Sequence, residues 1–197
     1  MKKISIALLI YLQISLLAGD LLFASVVIDD RSYKATITRD VWGVPHVFGK
    51  TDADAAFGVA FAHAQDDIKN LTDNISLYRA EMGLKQGLKG VVSDYLIKAL
   101  KIREMVAEGY EAKLSSQVRE VIEGYVAGLN YWIDLHPNRD YQALFPVTKY
   151  DIVSGFVIQN LFFSGVVSAI EKLQSMEAPA SKRITMNQNT IIQSADL

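Results

Sequence analysis

The chemistry-bearing residues that stand closest together in this sequence are His63, Asp66 and Asp67, in the run HAQDD. Residues three and four apart share one face of a helix, so this spacing suits two metal ligands. The chain has only three histidines, and neither of the others falls on this segment. A local pair between His63 and a carboxylate, fixing one helix face, is therefore favoured over a metal site.

The sequence gives little support for a serine or cysteine nucleophile. The last long helical segment contains three serines: Ser154, Ser164 and Ser168. No histidine stands at a spacing that would predict it as their partner, so the sequence gives almost no support for a Ser–His–Asp triad. The chain has no cysteine, which removes thiolate nucleophiles, thiolate zinc ligands and disulfide bonds. Weighed one by one, the residues therefore offer only thin candidates for a catalytic group.

Aromatic residues offer two further candidates. Trp42 and His46, beside the first turn, fit either an exposed functional position or an aromatic wedge between sheet and helix, and the wedge is favoured. Four residues crowd one part of the last helix and fit either core or the wall of a hydrophobic ligand pocket: Phe156, Leu161, Phe162 and Phe163.

Composition excludes several classes of protein. The 197 residues suit one domain, or a large piece of one, and 50% of them are hydrophobic, enough to bury a core. The formal net charge is −2 with acids and bases interspersed, so we expect no nucleic-acid partner.

The first 24 residues have the layout of a secretory signal peptide. Lys2 and Lys3 precede an almost wholly apolar stretch, and small residues follow. Cleavage after Gly19 or after Ala24 fits, and an uncleaved membrane anchor is the alternative. An exported chain without cysteine indicates the periplasm or the outside of a bacterium, with no membrane contact after signal cleavage.

Residues 25–175 are predicted to form the folded domain, and residues 176–197 a spacer. Short β-branched runs predict strands near residues 26–28, 33–38 and 44–48, which make an N-terminal β-hairpin. From Thr51 the period changes to that of a helix, with Thr51 and Asp54 as a capping box and Gly83 as the C-terminal stop.

Three more helices follow in the prediction. The first covers Val91–Glu108, and the second starts near Ser115 or Ser116 and stops before Pro137, with Val118 and Val121 on its apolar stripe. Gly124 and Gly128 predict a tight helix crossing. Thr148 and Asp151 open the last helix, and the tail after Pro179 is polar and aperiodic.

The stretch RDVWGVPHVFGKTDADAAFGVAFAHAQDD resembles the start of the α chain in the penicillin acylase family of N-terminal nucleophile hydrolases. The matching positions are Trp42 to Val47, Asp54, Ala55, Phe57, Gly58, Phe61, Ala64 and Asp66, with departures at Ala60 and Asp67. The segments 78–83 and 123–130 resemble two further family motifs. The likeness covers residues 33–175 and is closest to the acyl-homoserine-lactone and aculeacin-type acylases.

This resemblance implies an α subunit whose hairpin and helices belong to an αββα fold completed by the β chain of the same precursor. The β chain would begin with the serine that attacks an amide carbonyl, so no catalytic residue is expected in this chain, and the chain alone is expected to be inactive. The implied substrates are N-acyl small molecules: acyl-homoserine lactones or related acyl amides, including β-lactam side chains. A secreted helical binding or structural module without activity is the alternative.

Within this chain the resemblance implies an acyl-pocket wall at Phe156, Leu161, Phe162 and Phe163. Calcium is the one cofactor considered, with Glu171 at the position of a family ligand, although a solvated helix charge is the favoured interpretation of that residue. Ser194 is not the expected nucleophile, because no glycine precedes it.

Overall fold

The computed structural model describes residues 24–137, 142–166, 168 and 172. The chain divides into two units after Ile158, and each is described by itself. The first unit begins with a three-stranded antiparallel sheet in the order β1–β2–β3: β1 (Ala24–Asp29), β2 (Lys34–Arg39) and β3 (Pro45–Gly49). The predicted hairpin is confirmed as β2–β3, and β1 adds a strand to its other side.

Helix α1 (Asp52–Tyr78) starts as its sequence predicts. Thr51 Oγ1 accepts the backbone N–H of Asp54, and the Asp54 carboxylate accepts the N–H of Thr51. The predicted stop at Gly83 is wrong, because Ala80 takes the left-handed conformation and Glu81 N–H bonds to Ser76 O, which closes the helix earlier.

Helix α5 (Ser116–Asp134) crosses α1 at very close range, as the two glycines predict. A Cβ added at Gly124 would lie 2.3 Å from the Ala53 carbonyl oxygen, and one at Gly128 would lie 2.2 Å from that of Phe57. Only residues without side chains fit such a crossing.

The predicted start of α5 near Ser115 or Ser116 is confirmed, and the Ser115 hydroxyl caps the helix by accepting Val118 N–H. The burial predicted for Val118 and Val121 is wrong: both are exposed, and Ile122 is buried in their place. The stripe that faces α1 is therefore rotated toward the two glycines that make the crossing.

Three helices lie between α1 and α5 in the chain: α2 (Met82–Gln86), α3 (Leu88–Ala99) and α4 (Ile102–Lys113). The single helix predicted over Val91–Glu108 is wrong, because Lys101 takes a left-handed conformation with φ 51°. The break lets Ile97 and Ile102, on either side of it, both be buried.

Helix α6 (Lys149–Phe163) follows, preceded by a 3-10 turn at Gln142–Leu144. The core joins the sheet, α1 and α5, and Phe57 lies between Tyr33, on which it stacks, and Tyr131, to which it is tilted, at centroid distances of 5.8 and 5.6 Å. Within the described ranges, no helix combines the length and apolarity needed to cross a membrane.

Candidate functional site

A fully buried carboxylate, Asp151, lies where α6 begins. Its Oδ1 accepts Arg79 Nε at 3.0 Å and Arg103 Nη1 at 2.5 Å. Its Oδ2 accepts Arg79 Nη2 at 2.8 Å and both the backbone N–H and the hydroxyl of Thr148, each at 2.8 Å. We call Asp151, Arg79, Arg103 and Thr148 the Asp151 cluster.

Asp151 is held as an anion in this cluster. Burial by itself raises the pKa of its carboxyl, but the hydrogen bonds from Arg79, Arg103 and Thr148 outweigh that effect and hold the pKa well below its usual range. Five donors already point at the two oxygens, so the carboxylate has no position left from which to accept a substrate proton. Its role is structural positioning.

The segment before α6 is fixed from two more directions. Arg79 Nη2 also donates to Pro146 O at 3.0 Å. The Asn130 amide, on α5, accepts Val147 N–H at 2.8 Å and donates to Val147 O at 3.0 Å. Arg79 at the end of α1, Arg103 on α4 and Asn130 on α5 therefore all hold the residues from which α6 starts.

The Asp151 cluster was only partly predictable from the sequence. Thr148 and Asp151 were expected as a helix start, and Arg79 and Asn130 lie in the family-like segments. Arg103 was missed, because nothing near it in the sequence indicates a buried anion partner. The one sequence feature that could have pointed to Arg103 is its position as an arginine on a helix whose other face is apolar.

The turn between β2 and β3 is held by two ionic side chains. Arg39 donates to Gly43 O at 2.7 Å and to Asp66 Oδ1 at 2.7 Å, which ties the turn to α1. Asp40 Oδ1 accepts the N–H groups of Trp42 and Val44 at 3.0 and 2.9 Å. A rigid turn therefore presents the Trp42 indole.

The β2–β3 hairpin exposes a row of large apolar side chains, which we call the hairpin face: Val41, Trp42, Val44 and Phe48. Trp42 is 85% exposed and Phe48 73%. The predicted wedge of Trp42 and His46 between sheet and helix is therefore wrong, since the His46 side chain is also 65% exposed. Core packing does not explain this face.

The residues His63, Asp66 and Asp67 do not converge. His63 Nδ1 lies 2.7 Å from Tyr125 Oη, Asp66 pairs with Arg39, and Asp67 accepts Asn70 Nδ2 at 2.7 Å beside a kink in α1. The favoured local His–carboxylate pair is wrong, because a tyrosine on α5 takes the imidazole. Across the described ranges no group of three His, Asp or Glu residues is arranged to hold a metal ion.

The predicted pocket residues all lie on α6 but fall in different units. Phe156 belongs to the first unit and is exposed. In the second unit Phe162 and Phe163 are exposed and Leu161 is half-buried. Glu171 and Ser194 lie outside the described residues.

The serines of α6 and the turn after it make no catalytic pair in the described part of the chain. Ser154 is buried in the first unit, and its hydroxyl finds no hydrogen-bond partner among the described residues. Ser164 and Ser168 donate to nearby carbonyl oxygens of their own segment, those of Leu161 and Gly165.

The fold is that of an N-terminal nucleophile hydrolase chain. It is similar to the thermostable penicillin G acylase from Alcaligenes faecalis, with a TM-score of 0.54 and 22% identity, over 77% of this chain and 83% of that one. The chain belongs to the penicillin amidase family, whose model matches residues 34–188.

Two curated relatives are named as acylases that act on different substrates. A penicillin acylase 2 proenzyme of Pseudomonas sp. (strain SE83) is 32% identical over 114 residues, 57% of this chain and 14% of that protein. The acyl-homoserine lactone acylase PvdQ of Pseudomonas savastanoi pv. phaseolicola is 29% identical over 119 residues, 56% of this chain and 15% of that protein. The chain thus spans a small part of the length of these relatives.

Proposed function

We propose that this chain is the α subunit of a secreted bacterial amidohydrolase that cleaves the amide bond of N-acyl compounds. Membership of the penicillin amidase family supports the acylase class. The relatives named as acylases, one of them a proenzyme, support a precursor that is cut into chains. The proposal assigns the catalytic serine to a β chain of the same precursor.

The observation that carries the subunit proposal is the hairpin face. Large apolar side chains grouped on a surface mark contacts with another molecule, and a rigid turn holds these in place. In the proposal, the β chain covers this face and extends the small sheet into the αββα fold. A sheet of three strands gains stability from such an extension.

The β-chain serine attacks the amide carbonyl, and its own α-amino group accepts the proton. That amine titrates near neutral pH, so it serves as a base on the nucleophile's own residue. The present chain contributes shape to the acyl pocket. The Asp151 cluster fixes the start of α6, and the proposed pocket wall lies further along that helix: Phe156, Leu161, Phe162 and Phe163.

The docking role of the hairpin face is tested by a matched pair of valines. Val44 is 52% exposed on this face and Val118 is 46% exposed on α5. With both chains produced together, Val44→Ser is expected to weaken recovery of the β chain on a tagged α chain, because it removes apolar contact area. Val118→Ser serves as the control. Equal recovery with both variants contradicts the proposal.

The catalytic part is tested with the assembled protein. We expect release of the fatty acid from an acyl-homoserine lactone or of the side chain from a β-lactam, and no activity from the isolated α chain. An isolated chain that is monomeric and melts cooperatively, together with no hydrolysis by the assembled protein, would favour the alternative of a secreted binding module. Secretion is tested by sequencing the N-terminus of the mature protein.

A further inference from the structure

Helix α3 carries an apolar stripe on the side that faces away from the protein, which we call the outer stripe: Leu88, Val91, Val92 and Tyr95. The spacing of three and four residues places them on one helix face. All four are exposed, Leu88 at 87% and Tyr95 at 74%. Gly90 and Ile97, on the opposite face, are the buried residues of this helix.

Lysines border the outer stripe on both sides. At about 100° per residue, Lys89 stands on one side of Leu88 and Lys98 on the other, each about a quarter turn away. Both are exposed. The one acidic residue of α3, Asp94, accepts the N–H groups of Met82 and Gly83 at 2.9 and 2.7 Å, so it offsets neither lysine at the stripe.

The stripe is presented by a fixed helix. Asp94 holds α3 to the start of α2, and Gly90 packs so closely that an added Cβ would lie 2.3 Å from the Met82 carbonyl. Rotation of α3 to bury the stripe would break both contacts. The exposed apolar side chains therefore belong to the folded arrangement of α2 and α3.

We propose that α3 lies on an anionic lipid surface, with the outer stripe toward the acyl chains and Lys89 and Lys98 at the headgroup phosphates. Lysines beside an apolar stripe place their stems along it and their charges in the polar layer. Tyrosine is favoured at that same boundary. This departs from the expectation, drawn from the sequence, that the mature chain makes no membrane contact.

Charge favours lipid over a second copy of this chain. A second copy packed by symmetry on this face would bring lysines toward lysines. A lipid surface needs only the apolar stripe and the positive border.

The test uses the assembled protein with Val92→Cys, which gives this chain one thiol because it has no cysteine of its own. The thiol carries an environment-sensitive fluorophore. With phosphatidylglycerol vesicles its emission is expected to shift to the blue, and with phosphatidylcholine vesicles to stay unchanged. The same label at Val118→Cys, an exposed valine of α5, is expected to stay unchanged with both.

Charge and apolar contact are separated by further variants. Lys89→Gln and Lys98→Gln are each expected to lower the vesicle partition coefficient about fivefold. Leu88→Ser is expected to lower it about tenfold, because the leucine side chain would no longer insert among the acyl chains. The exposed control Lys113→Gln is expected to leave it within about twofold, and added salt should weaken binding of the unaltered protein.

Four results would each overturn the proposal. They are no response to phosphatidylglycerol vesicles, an equal response to phosphatidylcholine, a Val92→Cys thiol that maleimide cannot reach in the assembled protein, and a dimer in sedimentation that Leu88→Ser dissociates. The third result assigns the stripe to the β chain, and the fourth assigns it to a second copy.

Discussion

Replacement of Asp151 by asparagine tests whether one buried carboxylate holds the start of α6. The amide keeps the size of the side chain but removes the negative charge that Arg79 and Arg103 both face. It also places an N–H₂ group among the donors that now point at a carboxylate oxygen. Two guanidinium groups are then left close together without an anion.

The expected cost follows from the exposure of each partner. Removal of one member of a buried ion pair costs about 3–5 kcal/mol. We expect the lower end, about 3 kcal/mol, because the Arg103 side chain is 38% exposed and water screens its charge. Arg79, 17% exposed and bound through two nitrogens, carries most of the interaction.

The assay is equilibrium urea unfolding of the assembled protein. The free energies of unfolding of the variants are compared where the dependence of that free energy on urea concentration, the m-value, is unchanged. Asp151→Asn and Arg79→Gln are each expected to cost about 3 kcal/mol. Arg103→Gln is expected to cost about 1 kcal/mol, as for a partly exposed pair. A double-mutant cycle should give a larger coupling energy for Asp151 with Arg79 than with Arg103.

Two results would refute this reasoning. If Asp151→Asn lies within about 0.5 kcal/mol of the unaltered protein, the carboxylate does not hold this region together. If Arg103→Gln costs more than Arg79→Gln, exposure does not rank the two ion pairs, and the hydrogen bond to Pro146 does not add to the role of Arg79.

Three further predictions use the same assembled protein. Gly128→Ala is expected to destabilise it by about 1–3 kcal/mol in urea unfolding, because the added methyl group meets the Phe57 carbonyl. In the control Gly109→Ala the methyl group meets only a flexible lysine stem, so this variant is expected to be neutral or stabilising by up to about 1 kcal/mol. Thr51→Ala is expected to cost about 1 kcal/mol through loss of the α1 cap, and no change in the unfolding midpoint would contradict it. The pKa of Asp151 is lowered in the folded protein from its ordinary value of 3.8. The stability that this carboxylate contributes is therefore expected to be complete above pH 3.8 and to decrease as the pH falls below it. If the difference in stability between the unaltered protein and Asp151→Asn increases as the pH falls, the assignment is contradicted.

The parts of the fold that the sequence predicted depend on partners a few residues apart. The predicted capping of α1 joins Thr51 to Asp54, and the predicted start of α5 lies where the Ser115 hydroxyl accepts Val118 N–H. The close crossing at Gly128 was also predictable, because a glycine on an apolar helix face permits close approach. In each case the local chemistry has one favourable arrangement.

The parts that failed depend on contacts far apart in the chain. Asp151 is separated from Arg79 by 72 residues and from Arg103 by 48. No local pattern indicates which arginine meets a given carboxylate. The end of α1 failed for a related reason: Ala80 adopts a conformation that glycine favours, while Gly83 donates its N–H to Asp94.

Apolar stripes show the limit of a sequence pattern most directly. The stripe of α1 is buried in the chain's own core, whereas the stripe of α3 that begins at Leu88 has an equally regular spacing and stays exposed. Periodicity indicates that a face is to be removed from water, but it does not say by what. The covering partner can be this chain, another chain or lipid, and charge at the border separates these cases. The core stripe of α1 has helix α5 opposite it, whereas the outer stripe of α3 is bordered by two exposed lysines, for which the proposal supplies lipid phosphates as the counter-charge.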